Sequence, residues 1–248
     1  MIKFFRKIRY DLMGKNKTGK YFKYAVGEIV LVVIGILIAI QLNEWRKESN
    51  NNNQKQIVLN ALKLEFEANQ QQLDTVVYYL EKVQKSYILA NEMIINSQKI
   101  YSENDYSNLI VNISWTYTFN PSNGALRSAI SSNEIHLIEN KRLIEILFSW
   151  EDVIKDSDEE ALTIRKFQYE SQEFKGKYIS AAFEWKPILP EMISPNKISD
   201  FKGLIQDDAF ENYSILSYAY AKEYLGELND IKDQNMEILL LIQQELMK

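Results

Sequence analysis

Ile29-Val30-Leu31-Val32-Val33-Ile34-Gly35-Ile36-Leu37-Ile38-Ala39-Ile40 contains no polar side chain, and its reading decides the architecture of the whole chain. Twelve such residues alone fit a buried core helix or the core of a secretory leader as well as a membrane span. Widening the window to Ala25 and Leu42 gives 18 residues, about 27 Å of helix at roughly 1.5 Å each, which nearly fills a hydrocarbon layer. Glu28 and Gln41 interrupt it close to its two ends, within reach of headgroups. Tyr21, Phe22 and Tyr24 flank one side and Trp45 the other, where aromatic belts sit. One transmembrane helix over residues 24–45 is therefore expected.

Charge divides the chain at the same place. Residues 1–23 carry eight basic side chains against Asp11, a net +7, while the rest carry 21 basic and 33 acidic, a net −12. An excess of Lys and Arg beside a span stays cytoplasmic. The basic segment 1–23 is expected inside an inner membrane, followed by the span, a juncture at 46–53 and an external, periplasmic domain at 54–248. A cleaved signal peptide is the rival reading, but the basic lead is long and no small-residue cleavage site follows Ile40. Ile2, Phe5, Ile8, Leu12 and Met13 fall at helical spacing between Lys3, Arg6, Lys7 and Arg9. That pattern predicts a short helix on the anionic leaflet, its four cations at lipid headgroups; a merely solvated basic tail is the alternative.

Residues 1–9, the stretch from Gly19 to Asn43, and Ala129-Ile-Ser-Ser-Asn-Glu-Ile-His-Leu-Ile-Glu-Asn-Lys141 resemble an uncharacterised family of single-span membrane proteins of Bacteroidetes bacteria. The resemblance is carried mainly by residues 1–45 and 129–141. It implies an address and an architecture, and it brings no catalytic residues.

The external part reads as all-α. No proline occurs before Pro121, and three of the four fall in Lys186-Pro-Ile-Leu-Pro-Glu-Met-Ile-Ser-Pro195, so long helices are permitted and one loop is announced. From Phe66 the rows Phe66, Leu73, Leu80, Tyr87, Ile94 and Asn69, Val76, Val83, Ala90 make a heptad pattern, extended backward by Leu59 and Leu62. A helix from Gln54 to about Lys99 is predicted. Ser49–Asn53, four of its five residues asparagine, is either a flexible juncture or a continuous helix of poor local propensity. Leu143, Ile144, Leu147, Trp150, Ile154, Leu162 and Ile164 predict a second long helix from Lys141 to about Lys177. Phe210, Tyr213, Leu216, Tyr220, Tyr224, Leu228, Ile231, Ile238, Leu241 and Ile242 predict a third. Together they suggest an antiparallel bundle. The heptads also suit a parallel coiled-coil dimer, against which a Phe, a Tyr and an Asn in the seam argue.

Function classes are mostly excluded. Without cysteine there is no disulfide, thiolate nucleophile or cysteine-held metal, and His136 is the single histidine. Glu151, Asp152, Asp156, Asp158, Glu159 and Glu160 lack the glycine and the terminal acid of a calcium loop and read as a solvated face. An acidic external domain offers no footprint for nucleic acid, although Ala125–Ile130 and Lys141–Phe148 outline a helix-turn-helix. No phosphate-cradling loop or nucleophile elbow is present. No catalytic, cofactor-binding or metal-ligating residue is assigned. Glu28, Val32, Gly35, Ala39 and Asn43 share one face of the span, with Gly35 and Ala39 as a small-xxx-small pair, and form a candidate association face. The expected role is a non-enzymatic, membrane-anchored scaffold or interaction protein contacting lipid and either an envelope partner or itself. A ligand-sensing bundle that signals through a partner subunit is second. An enzyme working through paired carboxylates is third, and its sign would be two acids converging with raised pKa values.

Overall fold

A computed structural model of the chain describes residues 18–185, 189–192 and 199–248. The predicted surface helix with Lys3, Arg6, Lys7 and Arg9 lies outside the described residues, as does most of the proline-rich loop. No strand occurs among the described residues, and the fold is all-α. Its contacts divide into two units, the first ending at Gln56 and the second running from Ile57 to Lys248.

Helix α1 spans Thr18–Ile95 and contributes to both units. Its apolar stretch near the N-terminus is long and apolar enough to cross a membrane. Residues 46–53 are helical, asparagines included. The helix ends four residues before the predicted Lys99, because Asn96 turns its side chain back onto the Glu92 carbonyl at 3.0 Å and competes with further helical bonding.

The second unit holds two further long helices, with short pieces before each. Helix α2 (Glu103–Ile113) opens with a capping box in which the Ser102 hydroxyl accepts from the Asp105 N–H while the Asp105 carboxylate accepts from the Ser102 N–H. Helix α3 (Gly124–Ser131) and a 3₁₀ turn (Glu134–Leu137) follow, joined through Asn133 in the left-handed conformation at φ 62°, which asparagine tolerates. Helix α4 (Lys141–Tyr178) is capped by Asn140, whose side chain accepts from the Leu143 N–H. After the short helices α5 (Ala181–Glu184) and α6 (Phe201–Ile205), helix α7 (Asp208–Leu246) begins at Asp207. Asp207 accepts from the Ala209 N–H and from the Tyr178 hydroxyl, fastening the start of α7 to the end of α4.

Helix α7 runs antiparallel to the other two long helices. Asn235 reaches Phe66 and Gln70 on α1 while Tyr213 meets Tyr87; on α4, Arg142 pairs with Glu237 while Phe174 packs on Tyr213. Helices α1 and α4 therefore point the same way, with Phe66 against Trp150 at 5.0 Å between ring centroids. That parallel arrangement requires the chain to travel back between them, and residues 96–140 do so along α1. Polar side chains of α1 hold the return: Gln72 accepts from the Asn120 N–H, Asn69 exchanges two bonds with the Ser122 backbone, and Glu65 accepts at the start of α3.

Both heptad rows of α1 face the core through Ala90: Phe66, Leu73, Leu80 and Tyr87, and Asn69, Val76, Val83 and Ala90, are buried. Two expected core residues are not. Leu162 is 61% and Leu216 44% exposed, whereas Ser214, Ser217 and Ala221 take the inner face of α7. The inner rings of Phe167, Phe174 and Tyr213 fill that level of the bundle, so only small side chains fit beside them.

Candidate functional site

Within the apolar stretch of α1, Glu28, Val32, Gly35, Ala39 and Asn43 recur every three or four residues and so lie along one side of the helix. Glu28 is partly covered, while Val32, Ala39 and Asn43 are exposed. Beyond the backbone of its own stretch of helix, nothing lies within 4 Å of a side-chain carbon built on Gly35. None of the most apolar window is buried. This side of the helix is thus a ridge of small and apolar groups with one carboxylate, a shape suited to close helix approach.

Among the described residues, the aromatic level of the second unit holds a small recess. Tyr87, Phe167, Gln168, Tyr213, Ser217 and Tyr220 line a cavity of about 20 Å³, enough for a single water. The Tyr87 and Tyr213 hydroxyls stand 3.3 Å apart across it. Burial, and then the neighbouring Tyr213, push the Tyr87 phenol well above its ordinary value, so it stays neutral and acts as a hydrogen-bonding group. Its size suits neither a cofactor nor an organic ligand.

Charged groups converge at places that the sequence reading did not assign, two of them at helix contacts of the second unit. Lys175 is buried at the end of α4 and pairs with the buried Glu184 of α5 at 3.5 Å. Midway along the α4–α7 contact, Glu160 faces Glu227, and each has one carboxyl oxygen buried without a hydrogen-bond partner. Glu160 thus leaves the solvated face expected for the acidic run, whereas Glu151 sits at the surface bonded to Arg127 at 2.6 Å. The signal was present in the heptads: Glu160 continues the row Val153, Phe167, Phe174, and Glu227 continues Tyr213, Tyr220, Gln234, each an acid in a helix seam. His136 is exposed in the 3₁₀ turn. Among the described residues no group of three or more His, Asp or Glu side chains is placed to share a metal ion.

Comparison with curated proteins and with solved structures finds no match. The model of a family of unknown function, DUF6090, matches residues 28–151, which is half of the sequence and reaches from the apolar stretch of α1 into α4. The chain belongs to that family.

Proposed function

We propose that the protein is a single-pass membrane protein whose helical domain, outside the cytoplasm, works by contact with an envelope partner or with copies of itself and catalyses no reaction; the converging acids Glu160 and Glu227 are read as part of the α4–α7 contact and not as a catalytic pair. The observation that carries this reading is the uncovered apolar stretch of α1: none of its window is buried, so water would meet a continuous hydrocarbon surface unless lipid covers it. A core helix of a water-soluble fold would instead be sheathed by its neighbours. The resemblance of residues 1–45 to single-span proteins of Bacteroidetes supports the same address, an inner membrane. The +7 lead favours a cytoplasmic N-terminus, with Lys3, Arg6, Lys7 and Arg9 at headgroups and the Glu28–Gly35–Ala39 side available to a second span.

The test is fractionation followed by surface labelling. The full chain should remain in membranes after a high-salt wash. A Ser97→Cys variant, altered in the exposed turn after α1, should react with an impermeant thiol reagent once the outer barrier is opened. Recovery in the soluble fraction would refute the anchor, and protection of residue 97 would reverse the orientation.

A further inference from the structure

Helices α4 and α7 meet in a fixed antiparallel register. Phe167 packs on Tyr220 at 5.4 Å between centroids and Phe174 on Tyr213 at 5.3 Å. Seven residues further along each helix, the same register opposes Glu160 to Glu227. On one side of this level lies the aromatic packing; on the other, Ile154, Ser157 and Leu228 are buried. Two partly buried carboxyl groups therefore meet at this level, and each keeps one covered oxygen that only a proton held by the other can satisfy.

The remaining charges near the pair do not relieve it. Asp156, one turn away on α4, and Glu223, one turn away on α7, add negative charge. Arg165 is engaged elsewhere, donating to the Thr118 hydroxyl of the return segment and lying, with Asp158, near Tyr224. Lys155 and Lys222, five residues before the two acids on their helices, are exposed, and Lys232, five residues after Glu227, is paired with Asp74 of α1 at 2.6 Å. With only acids acting on Glu227, both carboxyl groups cannot ionise at close range without mutual repulsion across the partly covered α4–α7 contact.

We propose that Glu160 and Glu227 form a pH-sensitive joint between α4 and α7, closed while the pair retains one proton and loosened locally when both acids ionise. Burial and the adjacent Glu160 push Glu227 up to about 7, which places the loss of that proton near neutrality. The ordinary carboxyl value is 4.5, so the folded form holds more protons than the unfolded one between that value and about 7. Stability falls as pH rises through this window and does not return above it. The joint belongs to the second unit alone, so it operates on whichever side of a membrane the domain resides.

Hydrogen exchange on the full chain in detergent micelles or nanodiscs tests the proposal. After the intrinsic rise in exchange chemistry is divided out, amides of residues 153–163 and 220–230 should exchange roughly tenfold faster at about pH 8 than at about pH 6. Glu227→Gln, which can donate to Glu160 as a protonated acid would, should abolish that pH dependence, and Glu160→Gln should do the same. Equal protection of the native chain at the two pH values would overturn the proposal. So would an unchanged pH response in either variant, or failure of both to fold at about pH 6, where a neutral amide should mimic the protonated acid.

Discussion

Glu65 on α1 accepts a hydrogen bond from the backbone N–H of Ala125, sixty residues later in the chain, at 2.7 Å. Its other oxygen takes the Leu126 N–H at 3.0 Å. Helix α3 thereby receives its N-terminal cap from another helix, since the residue preceding it, Asn123, makes no side-chain cap and instead accepts from the Trp150 indole at 3.1 Å. A carboxylate at a helix N-terminus satisfies orphan donors and also complements the helix dipole. Glu65→Ala should cost about 1–2 kcal/mol of unfolding free energy, and Glu65→Gln about half of that, because the amide retains one acceptor. Equilibrium denaturation measures both; a loss in Glu65→Ala no larger than that of an exposed Glu81→Ala control would refute the capping role.

Asn235 sits at the centre of the α1–α7 contact, fully buried, and donates to the Phe66 carbonyl at 3.0 Å and to Gln70 at 2.8 Å. Its own side-chain oxygen finds no donor. A half-satisfied buried amide adds little net stability, while it pins α7 in one register against α1. Asn235→Leu should therefore shift stability by less than about 1 kcal/mol, whereas Asn235→Asp should cost about 3 kcal/mol or more by burying an unpaired charge. Similar losses in the two variants would show that the amide is a net stabiliser and not a register device.

The fold was legible where apolar residues repeat and where a neighbour of regular shape covers them. Phe66, Leu73 and Leu80 are buried because two long helices flank α1 over that stretch. Near the end of α1 the buried side rotates to include Ser86 and Met93, while Ile94 is only partly buried, because α2 packs on that flank and Asn112 donates to Ser86 at 2.9 Å. No heptad count anticipates a short helix arriving from the side. Leu216 was misassigned for a related reason: counting apolar residues overlooks Ser217, which is buried because the opposing rings leave room only for a small side chain. The Lys175–Glu184 pair was invisible because its partners lie on separate helices at the turn after α4. Glu160 and Glu227 were in plain view as acids in apolar rows, but their opposition depends on the α4–α7 register, which emerges only from packing.

Asp74 and Lys232 bridge α1 to α7 at 2.6 Å. The Lys232 bond holds the Asp74 carboxyl below its ordinary value, opposed by partial burial and helped by Gln70. A lowered folded-state pKa stabilises above the ordinary carboxylate value and loses that contribution as pH falls through the folded value. Asp74→Asn should thus be less stable than the native chain by about 0.5–1 kcal/mol near neutrality, with the difference shrinking as pH falls below the ordinary carboxylate range. A difference that persists undiminished in acid would mean that the pair stabilises through packing and not through charge.

Gly35 offers the cleanest probe of the proposed span, because a side-chain carbon there meets no atom within 4 Å beyond the backbone of its own stretch of helix. Gly35→Leu should leave folding of the helical domain unchanged and increase apolar surface toward lipid. If the Glu28–Gly35–Ala39 side mediates contact between spans, the added bulk must hold the helices apart. Self-association of the full chain in bilayers, read by cross-linking through a cysteine placed at Asn43, should then weaken at least about threefold, the equivalent of roughly 0.6 kcal/mol typical of one interhelical contact. Leu37→Ala, on a different side of the same helix, should leave association intact. Equal cross-linking of the native chain and Gly35→Leu would remove this side of the helix from any dimer.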